Sequence, residues 1–428
     1  MSISRRELLR AGVSATAASA TLGAQEFVRD QGQSGSKLPP AFDGLRPLGD
    51  RVRPITAQEF QGRIEKAQRL MTQIKPDFAA LYLTPGTSLA YFSGIRWDLS
   101  ERLMALVVPR SGDLLAVCPG FEEGRLREKF QWPIEVRVWQ EDESPYGVIA
   151  KWLAERGIRT GRVAVEETTR YVFFDGLRQA ASSLEFVSGD PITHACRARK
   201  SDHELELMRL ACSATFDVYK ATFASLREGI TQRQVATMMA QGFSKMGLAG
   251  YGLVLFGPAA ALPHGTREEQ TLKEGEGVLI DGGCEVEGYQ SDVTRTSSLG
   301  KPSDKLQRAF EIVRKAQDAA LAAAIAGHEC GTVDDAARAV VTQAGFGPGY
   351  KYFTHRLGHG LGMDGHEYPY LVRGSHILLE AAMTFSDEPG IYVPGDYGLR
   401  CEDDMVIQES GGAQSLTPYF QQSLDQPI

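Results

Sequence analysis

The sequence predicts an α/β domain followed by an α+β domain, on three observations. At 428 residues the chain is long enough for two or three cores without disulfide support. In its first half, short apolar runs alternate with helical stretches. In its second half, long helices are interleaved with strand pairs that read as antiparallel. The basic connector Arg197-Ala198-Arg199-Lys200 separates the two, which places the domains at 51–196 and 197–428.

Ahead of the domains, the chain starts with Ser4-Arg5-Arg6-Glu7-Leu8-Leu9-Arg10 and runs through a weakly apolar, Ala-rich stretch to about Ala24. Residues 1–24 resemble a twin-arginine export signal. An amphipathic helix is the other reading, but its Ser, Ala and Thr content makes a poor bundle element. Export would use the twin-arginine translocation machinery, which carries folded proteins, so the expected destination is the periplasm and any metal could be loaded beforehand. Residues 25–50 are rich in Gly, Pro, Ser and Gln and read as a spacer outside the fold.

The first domain opens on Thr56-Ala57-Gln58-Glu59, a capping-box pattern, with Phe60, Ile64, Ala67, Leu70, Met71 and Ile74 following at helical spacing. Apolar runs at 79–83, 103–108, 114–117 and 162–165 read as strands, and 146–156 as a helix. A second capping box, Ser201-Asp202-His203-Glu204, begins a long helix through about Leu226. Beyond it, helices are expected at 231–246, 303–326 and 333–344, and strands at 252–256, 277–281, 292–297, 383–388 and 404–407.

Composition removes several function classes. With 43% hydrophobic and 23% charged residues, the chain has the make-up of a folding globular protein rather than a disordered or fibrous one. A net charge of -8 gives no pull toward nucleic acid or anionic lipid, so no nucleic-acid partner is expected. Cys118, Cys196, Cys212, Cys284, Cys330 and Cys401 show no CxxC spacing and read as small buried side chains. No strongly apolar stretch reaches the length of a membrane span.

Ligand-grade side chains of the second half cluster at strand ends: Asp281, Asp292, His359, Glu388 and Glu402. Taken alone, Asp281 after Val278-Leu279-Ile280 is better read as a turn former. Asp292 follows the turn-rich segment 284–290, and a hairpin would bring the two carboxylates together. Their repulsion would be costly unless a cation lay between them. His359 stands between Gly358 and Gly360, which let backbone approach closely. Period two along 399–404 puts Arg400, Glu402 and Asp404 on one face and Cys401 on the other, with Glu402 facing Glu388 across a strand pair. Four carboxylates and one imidazole point to two divalent cations with mostly oxygen ligands, which favours Mn2+ over a zinc–thiolate site. Scattered surface acids are the bland alternative for each residue singly.

The joint pattern resembles the pita-bread metallopeptidases of the Xaa-Pro dipeptidase (prolidase) and aminopeptidase P group. The matching segments are Asp281-Gly282-Gly283, Gly288 through Thr296, His355-Arg356-Leu357-Gly358-His359-Gly360-Leu361-Gly362 with His366-Glu367, Glu388-Pro389-Gly390-Ile391-Tyr392, and Leu399-Arg400-Cys401-Glu402-Asp403. In the first domain the likeness is weaker and rests on Tyr91-Phe92-Ser93-Gly94 and the α/β order. The resemblance implies a pita-bread, creatinase/aminopeptidase-like catalytic domain. It also implies that Asp281 binds one ion, that Asp292 and Glu402 bridge both, and that His359 and Glu388 complete the second. Mn2+ is the expected ion, with Co2+ or Zn2+ as alternatives. His264, His355 and His366 match substrate-facing histidines, and Arg400 the arginine beside the bridging glutamate, for which a salt-bridge role is an equal reading.

The implied reaction is hydrolysis of the bond before proline by a hydroxide bridged between the two ions, with Glu388 as proton carrier and His264 and His366 facing the oxyanion. His355-Arg356 with Gly358-His359, and His366-Glu367, favour a dipeptidase acting on proline-containing dipeptides. Aminopeptidase P, acting on longer peptides, is the runner-up. A non-catalytic exported binding protein would be expected to have lost ligands, and all five positions are filled. The same likeness suggests a homodimer in which the N-terminal domain helps to close its partner's cleft.

Overall fold

The computed structural model describes residues 37–418 and 422–428. The expected export signal and residues 25–36 of the expected spacer lie outside the described residues. The first domain is built on one mixed sheet of strands β1 (Phe78–Leu83), β2 (Ala105–Pro109), β3 (Leu115–Pro119), β4 (Glu135–Trp139), β5 (Gly161–Val165) and β6 (Leu184–Ser188), in the order β4-β3-β2-β1-β5-β6. Helices α1 (Ala57–Gln73), α2 (Thr87–Ser93), α3 (Glu123–Lys129), α4 (Pro145–Glu155), α5 (Tyr171–Ala180) and α6 (Asp190–Arg197) surround it. Strand alternation sends Leu81 and Leu83 into the core with Ile64 and Met71 of α1, and Ala80 and Tyr82 into the core with Trp152 and Phe173. The capping boxes at Thr56 and Ser201 are both formed.

The second domain pairs helices α7 (Asp202–Phe223) and α8 (Gln232–Lys245) with a sheet of β7 (Ala249–Phe256), β8 (Gly277–Val286), β9 (Tyr289–Gln290) and β10 (Val293–Ser298). Helices α9 (Asp304–Ala323) and α10 (Cys330–Gln343) pack on the core of a second sheet. That sheet holds β11 (Gly358–Gly360), β12 (Glu367–Leu371), β13 (Thr384–Asp387), β16 (Asp403–Ile407) and β17 (Ala413–Ser415), while β14 (Gly390–Val393) and β15 (Tyr397–Arg400) form a separate ribbon. The first of these sheets is stitched to the ribbon and to the link between β15 and β16 where Thr296 Oγ1 donates to the Arg400 carbonyl (2.7 Å) and Glu402 N–H donates to the Thr294 carbonyl (3.1 Å). The result is an α/β domain followed by an α+β domain, as the sequence suggested.

Two expectations need correction. The described end of the spacer belongs to the fold, because Phe42, Leu45 and Leu48 are buried in the core of the second domain. Phe42 sits against Gly242, where a Cβ would lie 2.9 Å from its ring, and Lys245 Nζ donates to the Phe42 carbonyl (2.8 Å). Residues 399–404 are not one strand, since Cys401 and Glu402 fall between β15 and β16. The Glu402 N–H is taken by Thr294, and its carbonyl accepts from buried Arg295 (2.7 Å), so the residue bonds to the first sheet. All six cysteines are buried and free, and among the described residues no helix is long and apolar enough to cross a membrane.

Candidate metal centre

The site forms at the seam between the two sheets. Strand β8 pairs with β10 so that Asp281 lies opposite Thr294, and Asp292 immediately precedes β10. Period two then puts Asp281, Thr294 and Asp292 on one face. The hairpin can close this tightly because residue 283 is glycine: a Cβ there would lie 1.9 Å from the Ser291 carbonyl oxygen. Continuing the Gly390–Arg400 register of β14 and β15 by two positions sets Glu388 opposite Glu402, as the sequence suggested.

His359 is the middle residue of β11. A Cβ at Gly358 would strike the Ser386 carbonyl oxygen at 2.0 Å, and one at Gly360 the Glu367 carbonyl oxygen at 2.4 Å, so both flanking glycines follow from packing. His359 Nδ1 lies 3.1 Å from the Gly360 carbonyl and acts as its donor. That fixes the tautomer and leaves the Nε2 lone pair facing Glu388 Oε1 (3.3 Å) and Asp292 Oδ2 (3.8 Å). Donor atoms of His359, Glu388 and Glu402 lie within 4.8 Å of one another, as do those of Asp281, Asp292 and Glu402.

The remaining expected residues surround this set unevenly. His366 stacks on His359 with ring centroids 3.8 Å apart, and joins Asp292 and His359 in a third group within 4.8 Å. His355 has both ring nitrogens engaged, Nδ1 with the Arg356 carbonyl and Nε2 with Tyr392 Oη, each at 2.8 Å. His264 is exposed on the loop after Gly257–Ala261 and is not among the groups of donor atoms that lie within 4.8 Å of one another. Arg400 is buried and donates to Asp281 Oδ2 (2.5 Å), Tyr392 Oη (2.9 Å) and Thr294 Oγ1 (3.0 Å). Thr294 and Tyr392 stand in the segments that carry the family likeness, but their role is legible only in the fold. Thr294 Oγ1 lies within hydrogen-bonding distance of both Asp281 and Glu402, and Tyr392 Oη links His355 to Arg400.

The family description "Creatinase/Prolidase N-terminal domain" matches residues 63–199, and "Metallopeptidase family M24" matches residues 206–409. A putative dipeptidase, YkvY, from Bacillus subtilis is 34% identical over 362 residues, covering 83% of this chain and 98% of the relative. The chain belongs to the M24 metallopeptidases. A Lactobacillus helveticus protein named Xaa-Pro dipeptidase is 33% identical over 356 residues, covering 81% of this chain and 95% of that one. Among solved structures, dipeptidase PepE from Mycobacterium ulcerans superposes with a TM-score of 0.81 at 34% identity, covering 88% of this chain and 100% of the other.

The electrostatics of this M24 metallopeptidase fit divalent cations. Burial, reinforced by neighbouring carboxylates, pushes Asp292 and Glu402 well above the usual carboxylate range and lifts Glu388 to about 7. Burial also holds His359 far below its ordinary value, so its imidazole is neutral and suited to ligation. Among the described residues, the cation touching these carboxylates is Arg400, hydrogen-bonded to Asp281 and 3.8–3.9 Å from Glu402 and Glu388. One guanidinium cannot balance four carboxylates in a buried space. A lone pair on His359 Nε2 aimed at two acids is a donor set that calls for a metal.

Proposed function

We propose that this M24 metallopeptidase is an Xaa-Pro dipeptidase acting on proline-containing dipeptides. The observation that carries it is the convergence of His359 Nε2 with Glu388 and Asp292, completed by Asp281 and Glu402. The preference for proline rests on similarity to the Lactobacillus helveticus protein. Asp281 would hold one ion, His359 and Glu388 the other, and Asp292 and Glu402 both. The oxygen-rich set favours Mn2+, with Co2+ or Zn2+ as alternatives. When bound, such ions supply Lewis acidity and make a water nucleophilic near neutral pH.

The chain's own groups do the rest. Glu388, at the seam beside His359, would accept a proton and return it to the proline nitrogen. His366 and His264 offer N–H groups to the developing oxyanion. The His355–Tyr392–Arg400 chain fixes the wall beside Asp281. The prolyl bond has no N–H, so a site that reads the ring and carboxylate suits it better than one that needs that donor. Export by the twin-arginine machinery to the periplasm, and a homodimer, complete the proposal. Hydrolysis of Ala-Pro and Ala-Pro-Ala, each with Mn2+ and with chelator, tests it. Metal-dependent cleavage of the dipeptide alone supports the reading, whereas cleavage of the tripeptide would make the protein an aminopeptidase P.

A further inference from the structure

Arg197 and Lys200 fall in the basic connector, where long charged side chains are ordinarily solvated. Instead, their side chains are 8% and 2% exposed, and both oxygens of buried Glu367 are taken. Glu367 Oε2 accepts from Arg197 Nη2 and Oε1 from Lys200 Nζ, each at 2.6 Å. The same Arg197 Nη2 reaches Asp364 Oδ2 (2.5 Å), whose Oδ1 accepts from Thr87 of α2 (2.5 Å), and Arg197 Nη1 meets Ser88 Oγ (3.3 Å). Arg197 at the end of α6, together with Thr87 and Ser88 of the first domain and Lys200 of the connector, thus grips the segment 364–367 of the second.

His366 lies inside that segment. Glu367 pairs with Gly360, one residue from His359, and its carboxylate covers Gly362, where a Cβ would lie 2.4 Å from Oε1. Net stability does not account for such a cluster, because burying charges costs desolvation that apolar side chains of similar volume avoid. What a saturated ion network adds is fixed geometry. We propose that Arg197 is a positioning residue: through Glu367 and Asp364 it sets the His366 ring on His359, so the N-terminal domain tunes the reacting face of the metal centre. This rests on the reading of the site as a dinuclear peptidase.

The test uses the full-length, Mn2+-loaded protein and the triple variant Arg197→Met/Lys200→Met/Glu367→Leu, which replaces the whole network with apolar volume. The expected result is wild-type metal content and KM, with kcat down by about 10- to 100-fold. Unchanged kcat, or a kcat that falls only in proportion to lost metal, would reduce the network to a structural role and overturn the proposal. If the triple variant does not fold, Asp364→Asn with Thr87→Val loosens the outer half while Glu367 stays paired. A smaller fall in kcat at full metal content supports positioning there, and no fall overturns it. Wild-type failure on Ala-Pro would count against the Xaa-Pro reading alone, with the ratio then taken on a dipeptide the wild type cleaves.

Discussion

Arg400 Nη2 stands 2.5 Å from Asp281 Oδ2, so in this fold a candidate metal ligand is also the partner of the guanidinium buried beside the site. Arg400 therefore does for Asp281 part of what a cation would do. Arg400→Met should destabilise the metal-free protein by about 3–5 kcal/mol, the usual cost of stripping a partner from a buried pair. Saturating Mn2+ should narrow the gap, as read from thermal unfolding with metal and with chelator. An equal loss in both conditions would mean that the arginine and the ion do not share a carboxylate.

Asp292 illustrates the opposite sign. Burial and the facing Asp281 make its ionised form costly. Asp292→Asn should therefore stabilise the metal-free chain while lowering turnover by more than about 100-fold and removing bound metal. Asp292→Ala should abolish activity and metal binding together. Retained activity in either variant, measured beside metal content, would refute the shared-ligand assignment.

Much of this site was legible because its ligands sit in short motifs whose glycines have a packing reason, at 283, 358 and 360. The Glu388–Glu402 opposition also followed from strand periodicity. Other features depended on contacts that periodicity does not carry. The break at Glu402 comes from bonds of its N–H to the Thr294 carbonyl and of its carbonyl to the Arg295 side chain, residues more than a hundred positions away. Strand β4 escaped notice because Glu135 and Arg137 alternate with valines on a half-buried edge. The burial of Phe42, Leu45 and Leu48 had a signal in their spacing, hidden by the surrounding Pro and Gly. The connector looked like a solvated basic run, since Glu367 is far away in sequence.

In the metal-free protein the raised carboxylates of Glu388, Asp292 and Glu402 limit stability on the alkaline side, and His355 limits it on the acid side. Glu388 is raised to about 7 from an ordinary 4.5, so as pH climbs through that interval the unfolded chain releases its proton first and stability falls. His355 is pressed to about 3 from 6.5 by burial and by Arg400, so as pH drops below 6.5 the unfolded chain gains a proton that the folded one refuses, and stability falls again. Mn2+ should flatten the alkaline limb by holding the carboxylates ionised. Urea midpoints across pH, with chelator and with Mn2+, measure this, and a steady rise through pH 7 in chelator would contradict it.

Arg5→Lys with Arg6→Lys should block export. Fractionation of cells carrying the double variant should find the protein in the cytoplasm, and normal periplasmic accumulation would sink the twin-arginine reading.

Asp281, Asp292, His359, Glu388 and Glu402, at the seam of two sheets, are proposed to hold the ions that drive dipeptide hydrolysis. The most direct test is to strip the purified protein with chelator and titrate Mn2+ back while following Ala-Pro cleavage and bound metal together. Activity that is absent at the start and saturates near two ions per chain is the predicted result. Cleavage that persists in the stripped protein, or saturates with no metal bound, would contradict it.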